Sequence, residues 1–268
     1  MAASDVSPDV QLAQTRHRVA LASGWDIRAG ASVLEIGCGQ GDMTAVLAEA
    51  VGPRGRVVAV DIADPLYGAP VTLGRSAERL KGTPLGSRIS FSFGLDVLDE
   101  AVTFLDNEFD HVVLAHCSWY FASLEQLRGT LARLRRWARS LCFTEWDLEP
   151  RSADQLPHLL AVLVQGQIEA GGSRGDGNVR TPFSRESLLR ILPTTGWDTG
   201  PVRAVDTSAL PDADWEIDAC RRLLDDADRM AELPRAVRDL IVSQADVLRS
   251  LAREHGNTPL TAYALNAR

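Results

Sequence analysis

Only one lysine, Lys81, occurs among 268 residues, so 27 of the 28 basic side chains are arginine, a skew that reads as GC-rich coding rather than chemistry. No apolar run approaches the ~18 residues that a membrane helix needs. Residues 1–14 hold neither a basic cluster nor an apolar stretch, so the expectation is a cytoplasmic protein without a secretory leader. Cys38, Cys117, Cys142 and Cys220 are widely spaced with no C-x-x-C pair. That pattern excludes a zinc ribbon and a disulfide framework, and it predicts reduced, mostly buried thiols. His111, His158 and His255 show no metal-ligand spacing, so no metal is expected. Positive charge is in short supply, with 28 basic against 36 acidic residues and a net charge of -8. Nine acids against three bases fall between Asp206 and Glu232. Such a chain lacks the field that draws nucleic acid or an anionic membrane surface.

What is present is an ordinary globular composition, 45% apolar and 24% charged, of a length that suits one large α/β domain. Ser32 to Ile36, Arg56 to Val60, Ile89 to Phe93, His111 to Ala115 and Leu141 to Trp146 read as buried strands. Helical patterns alternate with them. Ser123 is placed to cap a helix whose Leu124, Leu127, Leu131, Leu134 and Trp137 form one apolar stripe, with its arginines mostly on a solvated face. This alternation predicts a Rossmann-like doubly wound sheet. Trp197 to Val205 and Leu260 to Ala267 read as a closing antiparallel hairpin, interrupted by helical patterns at Asp212 to Met230 and Pro234 to Glu254. The organisation is then a single domain over 1–268. It has an N-terminal helical cover at 1–24, a lid insertion at 148–183 and a helical insertion at 206–257. The stretch Gly171 to Asn178 is too rich in glycine to hold one conformation cheaply.

The most informative segment is Val33-Leu34-Glu35-Ile36-Gly37-Cys38-Gly39-Gln40-Gly41-Asp42, between a strand and a helix. Its glycines allow a sharp turn and let a ligand lie on bare backbone, next to unpaired helix N–H groups. A dinucleotide site asks for G-x-G-x-x-G, but here Asp42 stands where the third glycine should be. Glu35 and Asp42 would also face a doubly charged pyrophosphate. S-adenosylmethionine carries an ammonium, a sulfonium and one carboxylate, and that charge pattern suits an acid-flanked loop. Asp61 closes the second strand, where a carboxylate accepts ribose hydroxyls. Asp96 follows the third strand and is placed to accept from an adenine amino group, with Leu95 or Val97 against the ring.

These residues resemble the class I S-adenosylmethionine-dependent methyltransferases. V-L-E-I-G-C-G-Q-G at 33–41 matches the family's first motif, V-V-A-V-D-I at 57–62 its second, and F-D-H-V-V-L-A-H at 109–116 resembles its fourth. The resemblance covers roughly Val19 to Trp146. It implies a seven-stranded sheet with its last strand antiparallel. It also implies a cofactor site of Glu35, Gly37, Cys38, Gly39, Asp61, Ile62, Asp96, Val97 and His116, with S-adenosylhomocysteine as product. Where the family often has an acid or Asn after strand four, this chain reads Ala115-His116-Cys117-Ser118-Trp119-Tyr120-Phe121.

The expected reaction is methyl transfer to an oxygen or nitrogen of a small molecule, with a secondary metabolite as the leading acceptor class. His116 is the candidate base, since imidazole titrates near working pH. Trp119 and Tyr120 are candidate catalytic-site walls around a sulfonium or a flat acceptor. Glu145 and Asp147 either bind a cationic acceptor or cap the next segment. A helix at about Pro8 to Ser23 would present Arg16 to the cofactor carboxylate. Two alternatives stay open: a cofactor-dependent rearrangement, cyclisation or elimination, and a non-catalytic partner subunit.

Overall fold

The computed structural model describes residues 7–172 and 177–268. Part of the glycine-rich stretch, residues 173–176, lies outside the described residues. Helix α1 (Pro8–Ser23) begins on a proline, whose missing N–H costs nothing in a first turn. There follow β1 (Ser32–Ile36), α2 (Asp42–Val51), β2 (Arg56–Val60), α3 (Leu73–Lys81), β3 (Ile89–Ser92) and β4 (Phe109–Ala115). Next come α4 (Leu124–Trp137), β5 (Ala138–Trp146), α5 (Leu156–Gly171), α6 (Arg185–Thr194) and β6 (Arg203–Val205). The chain closes with α7 (Asp212–Asp225), α8 (Ala227–Glu232), α9 (Arg235–His255) and β7 (Ala262–Ala267).

The seven strands lie in the order β3-β2-β1-β4-β5-β7-β6. The first five run parallel, while β7 pairs antiparallel with both β5 and β6. Strand order reverses between β1 and β4, so their C-terminal ends open the crevice in which such sheets bind ligands. Alternation along each strand divides the core. Leu34, Leu114 and Phe143 pack against α4 and α6 on one face. Val33, Val113 and Cys142 pack under Leu21, Leu47 and Val51 of α1 and α2 on the other. All four cysteines are buried and unpaired.

Ser123 caps α4 as expected, its hydroxyl accepting from Gln126 N at 3.1 Å. Not all the α4 arginines lie idle in solvent. Arg133 donates to the carbonyls of Asp99 (2.8 Å) and Val102 (2.5 Å), pinning the loop after β3. Two expected elements are shorter than read. Of Trp197 to Val205 only β6 is a strand, because Pro201 has no N–H for the ladder and Trp197 turns inward to donate to Leu131 O at 2.9 Å. The helix expected over Asp212 to Met230 breaks at Asp226, which is extended and caps α8 by accepting from Arg229 N at 3.0 Å.

Helices α5, α7, α8 and α9 come from the two insertions and share a separate apolar core that includes Ala161, Val164, Ile217, Cys220 and Ile241. No helix among the described residues is long and apolar enough to cross a membrane.

Candidate active site

Strand β1 ends in a hook. Gly37 N and Cys38 N both donate to Val60 O, at 2.9 and 3.1 Å, which ties the loop to the end of β2. Gly37 has φ +70, and a Cβ there would lie 2.7 Å from the Cβ of Cys117. Gly39 has φ +51, and a Cβ there would meet nothing within 4 Å. One glycine lets the loop backbone pack on the Cys117 side chain; the other faces open space, as a ligand cradle requires.

The acids around this loop do different work. Glu35 is 2% exposed on β1 and accepts from Thr44 Oγ1 at 2.6 Å. Burial pushes its carboxyl up to about 8, against the opposing pull of that hydrogen bond. Asp61 Oδ2 accepts from Gly39 N (2.8 Å) and Oδ1 from Ala63 N (2.9 Å), so the carboxylate is aimed before any ligand arrives. Ile62, the next residue, is 62% exposed. Asp96 Oδ1 accepts from Leu98 N at 2.8 Å, a turn cap that leaves its second oxygen for a ligand. Val97 does not fit the ring contact expected of it: it is 6% exposed and packs in the core. Ile62 and the partly buried Leu95 remain as apolar surface for a ring. Burial raises the thiols of Cys38 and Cys117, which makes both packing groups rather than nucleophiles.

On the acceptor side, His116 ends β4 with φ +50, a strained left-handed residue held by its N–H to Thr144 O at 3.1 Å. Its Nδ1 stands 3.4 Å from Glu145 Oε1, close enough to pair but without hydrogen-bond alignment. Its Nε2 is 3.0 Å from Nε2 of His17 on α1, a residue with no role assigned from sequence. Glu145 is held in turn, its Oε2 accepting from Ser118 N (3.0 Å) and Ser118 Oγ (2.6 Å). Asp147 points elsewhere, to an ion pair with Arg185 of α6. Of the two aromatic residues expected in the wall, Trp119 is 3% exposed and belongs to the core, because its short helical turn folds inward. Tyr120 is 47% exposed, with Glu216, Glu145 and Tyr67 near enough to act on its hydroxyl.

Helix α1 also corrects the arginine. Arg16 is exposed, whereas Arg18 turns toward the loop, 3.8 Å from Asp42 Oδ2, and its charge reaches Glu35. The 3.6-residue period of the helix sets the two about 200° apart, which separates them onto different faces. From α7, Asp212 and Glu216 lie one turn apart, and burial raises both carboxyls. Glu216 accepts from Gln165 Nε2 at 2.8 Å, while Asp212 Oδ2 is buried without a partner. Sequence reading missed His17, Tyr67, Asp212 and Glu216. The one available signal was the i, i+4 spacing of the two acids, hidden in a generally acidic stretch. Among the described residues no cluster fit to hold a metal occurs.

A methyltransferase-domain family model matches residues 33–140. A solved cyclopropane-fatty-acyl-phospholipid synthase-like protein from Lactobacillus casei is 34% identical, with a TM-score of 0.87, covering 100% of this chain and 94% of that one. The chain belongs to the class I S-adenosylmethionine-dependent methyltransferases. Nocamycin O-methyltransferase from Saccharothrix syringae is 38% identical over 111 residues, 41% of this chain and 36% of the relative. A ubiquinone/menaquinone biosynthesis C-methyltransferase from Hahella chejuensis is 39% identical over 89 residues, 33% of this chain and 32% of the relative. The chain spans a third to a half of the curated relatives it matches, 32–52% of their length. Within this methyltransferase family the cofactor is S-adenosylmethionine, and the open cradle at Gly39 beside the pre-aimed Asp61 fits it.

Proposed function

We propose that this protein transfers a methyl group from S-adenosylmethionine to an oxygen or nitrogen of a small molecule, with a secondary metabolite as acceptor. The observation that carries the reading is the carboxylate–imidazole pair Glu145–His116, held at the rim of β4 across from the glycine cradle of β1. Bound there, the cofactor supplies a methyl already activated by its sulfonium. The chain has to position, exclude water and manage one proton. Gly37 and Gly39 give backbone for the methionine portion, Arg18 matches its carboxylate, Asp61 takes the ribose hydroxyls, and Ile62 with Asp96 receives the adenine. Holding acceptor and methyl in line contributes on the order of 7–11 kcal/mol of barrier lowering. An O–H or N–H acceptor must also lose a proton, and His116 with Glu145 behind it accepts that proton, a contribution of about 10²–10⁴-fold. The insertions at 148–183 and 206–257 act as the acceptor-side cover, bringing Asp212, Glu216 and Tyr120 against the substrate.

The O-methyltransferase likeness supports an oxygen acceptor, and the acidic surface supports a small molecule over nucleic acid. Titration calorimetry with S-adenosylhomocysteine tests the cofactor site. Incubation with methyl-labelled cofactor and a panel of phenols, carboxylic acids and amines, read by mass spectrometry, tests the reaction. Absent binding sinks the reading; so does product formation with the cofactor left intact, which would instead favour rearrangement or cyclisation.

A further inference from the structure

Helix α1 is docked in an unusual way. Across its first three turns the buried residues are Gln11 and His17, both polar, with Ala13 only partly buried against the core, and full apolar burial begins at Leu21 and Ala22. Gln11 Nε2 donates to Asp42 Oδ1 at 3.2 Å, and Arg18 reaches the same carboxylate at 3.8 Å. A front half fastened by polar atoms, with an apolar anchor at its C-terminal end, has the construction of a cover that lifts about its anchor.

The strongest of these fastenings ends on the base. Nε2 of His17 and Nε2 of His116 face each other at 3.0 Å, with ring centroids 5.2 Å apart. Two imidazole nitrogens at that distance need one proton between them, so each ring fixes the protonation of the nitrogen opposite. Burial, and then the neighbouring His116, lowers His17 to about 3, which keeps the His17 ring neutral. Arg18 and Asp206 are the other charged groups acting on it. His116 is gripped on its remaining sides by Glu145 Oε1 at 3.4 Å from Nδ1 and by the Trp146 ring at 4.8 Å. With α1 down, Nε2 of His116 is occupied by His17, while Nδ1 faces Glu145 without a formed hydrogen bond.

We propose that His17 is a positioning residue, a latch that holds α1 over the bound cofactor by engaging Nε2 of His116 until the acceptor displaces its ring and takes that nitrogen. The proposal rests on the cofactor site read above. Closed, the latch keeps the methionine end of the site dry and the base oriented. Displacement of the His17 ring by the acceptor frees the base with the helix still down, and lifting of the helix lets cofactor exchange.

The test compares the wild-type protein with His17→Ala and His17→Gln, using S-adenosylhomocysteine as the probe. One hydrogen bond lost corresponds to about a ten-fold change in an opening equilibrium. His17→Ala should therefore release S-adenosylhomocysteine about ten-fold faster in stopped-flow displacement. It should speed amide exchange over residues 8–16 of the ligand-free chain to a similar degree and shift the ring ¹⁵N resonances of His116. His17→Gln, whose amide can still meet Nε2, should recover much of each effect. Release and exchange that stay within about two-fold of wild type in His17→Ala overturn the latch, and so does a glutamine variant as loose as the alanine one. A wild-type chain that binds no S-adenosylhomocysteine would refute the cofactor reading instead, while amide exchange in the ligand-free chain still judges the latch.

Discussion

Replacing Glu35 with glutamine should stabilise the ligand-free protein, and by more as the pH rises. The carboxyl is 2% exposed, and burial lifts it from 4.5 to about 8. Between those values the folded chain keeps a proton that the unfolded chain has released, so wild-type stability falls as pH rises through the window. Each pH unit costs about 1.4 kcal/mol. The gap of 8 − 4.5 = 3.5 pH units therefore sets an upper value of about 5 kcal/mol by pH 9, and relaxation around the charge brings the expectation to roughly 2–5 kcal/mol. Glutamine keeps the shape and a partner for Thr44, which sits 2.6 Å from the carboxylate, without the charge. Urea unfolding of both proteins at pH 5, 7 and 9 reads the difference directly, and for a chain of this size each kcal/mol moves the thermal midpoint by about 2–4 °C. Near pH 5 the two curves should almost coincide; at pH 9 the variant should be clearly more stable. A constant difference across the three pH values would refute the raised carboxyl. Thr44→Val, which removes the hydrogen bond that opposes the rise, should lift the carboxyl further and carry the loss of stability to higher pH.

Asp61→Ala should weaken S-adenosylhomocysteine binding by about 1.5–3 kcal/mol in calorimetry, through lost charge-assisted hydrogen bonds and a freed Gly39 amide. Unchanged affinity would contradict the ribose assignment. His116→Ala should cut turnover by about 10²–10⁴-fold once an acceptor is in hand, and a fully active variant would reduce His116 to scaffolding. The two glycines should separate. Gly37→Ala drives a Cβ to 2.7 Å from Cys117 and should damage folding, whereas Gly39→Ala has room and should fold with a cost of about 1–2 kcal/mol yet lose the cofactor. Circular dichroism and calorimetry on both variants check the contrast.

The sheet was legible because its signals are local. Buried parallel strands are continuous apolar runs, Ser123 caps its own helix, and the glycine loop carries φ requirements that few residues meet. Reading stopped short where one side chain decided between two environments. Pro201 ended a strand early, and Asp226 bent a helix that its periodicity alone would continue. Val97 and Trp119 sit beside site residues in sequence, yet the turns that carry them face inward. The residues proposed for the cofactor could be named one by one because, His116 aside, they cluster within the first hundred positions. On the acceptor side the sequence offered His116 and Glu145 but not their neighbours: His17, His116, Glu145 and Asp212 come from α1, the turn after β4, β5 and α7, and only the tertiary fold brings them together.

The two insertions carry their own apolar nucleus, made of Ala161, Val164, Ile217, Cys220 and Ile241, apart from the layers on either side of the sheet. None of its buried residues belongs to those layers, and α5 is tied to one of them through Val162. With the helical module as the acceptor cover proposed above, divergence in the acceptor can accumulate there while the proposed donor site stays as it is, and chimaeras that trade this module between relatives test where specificity lies.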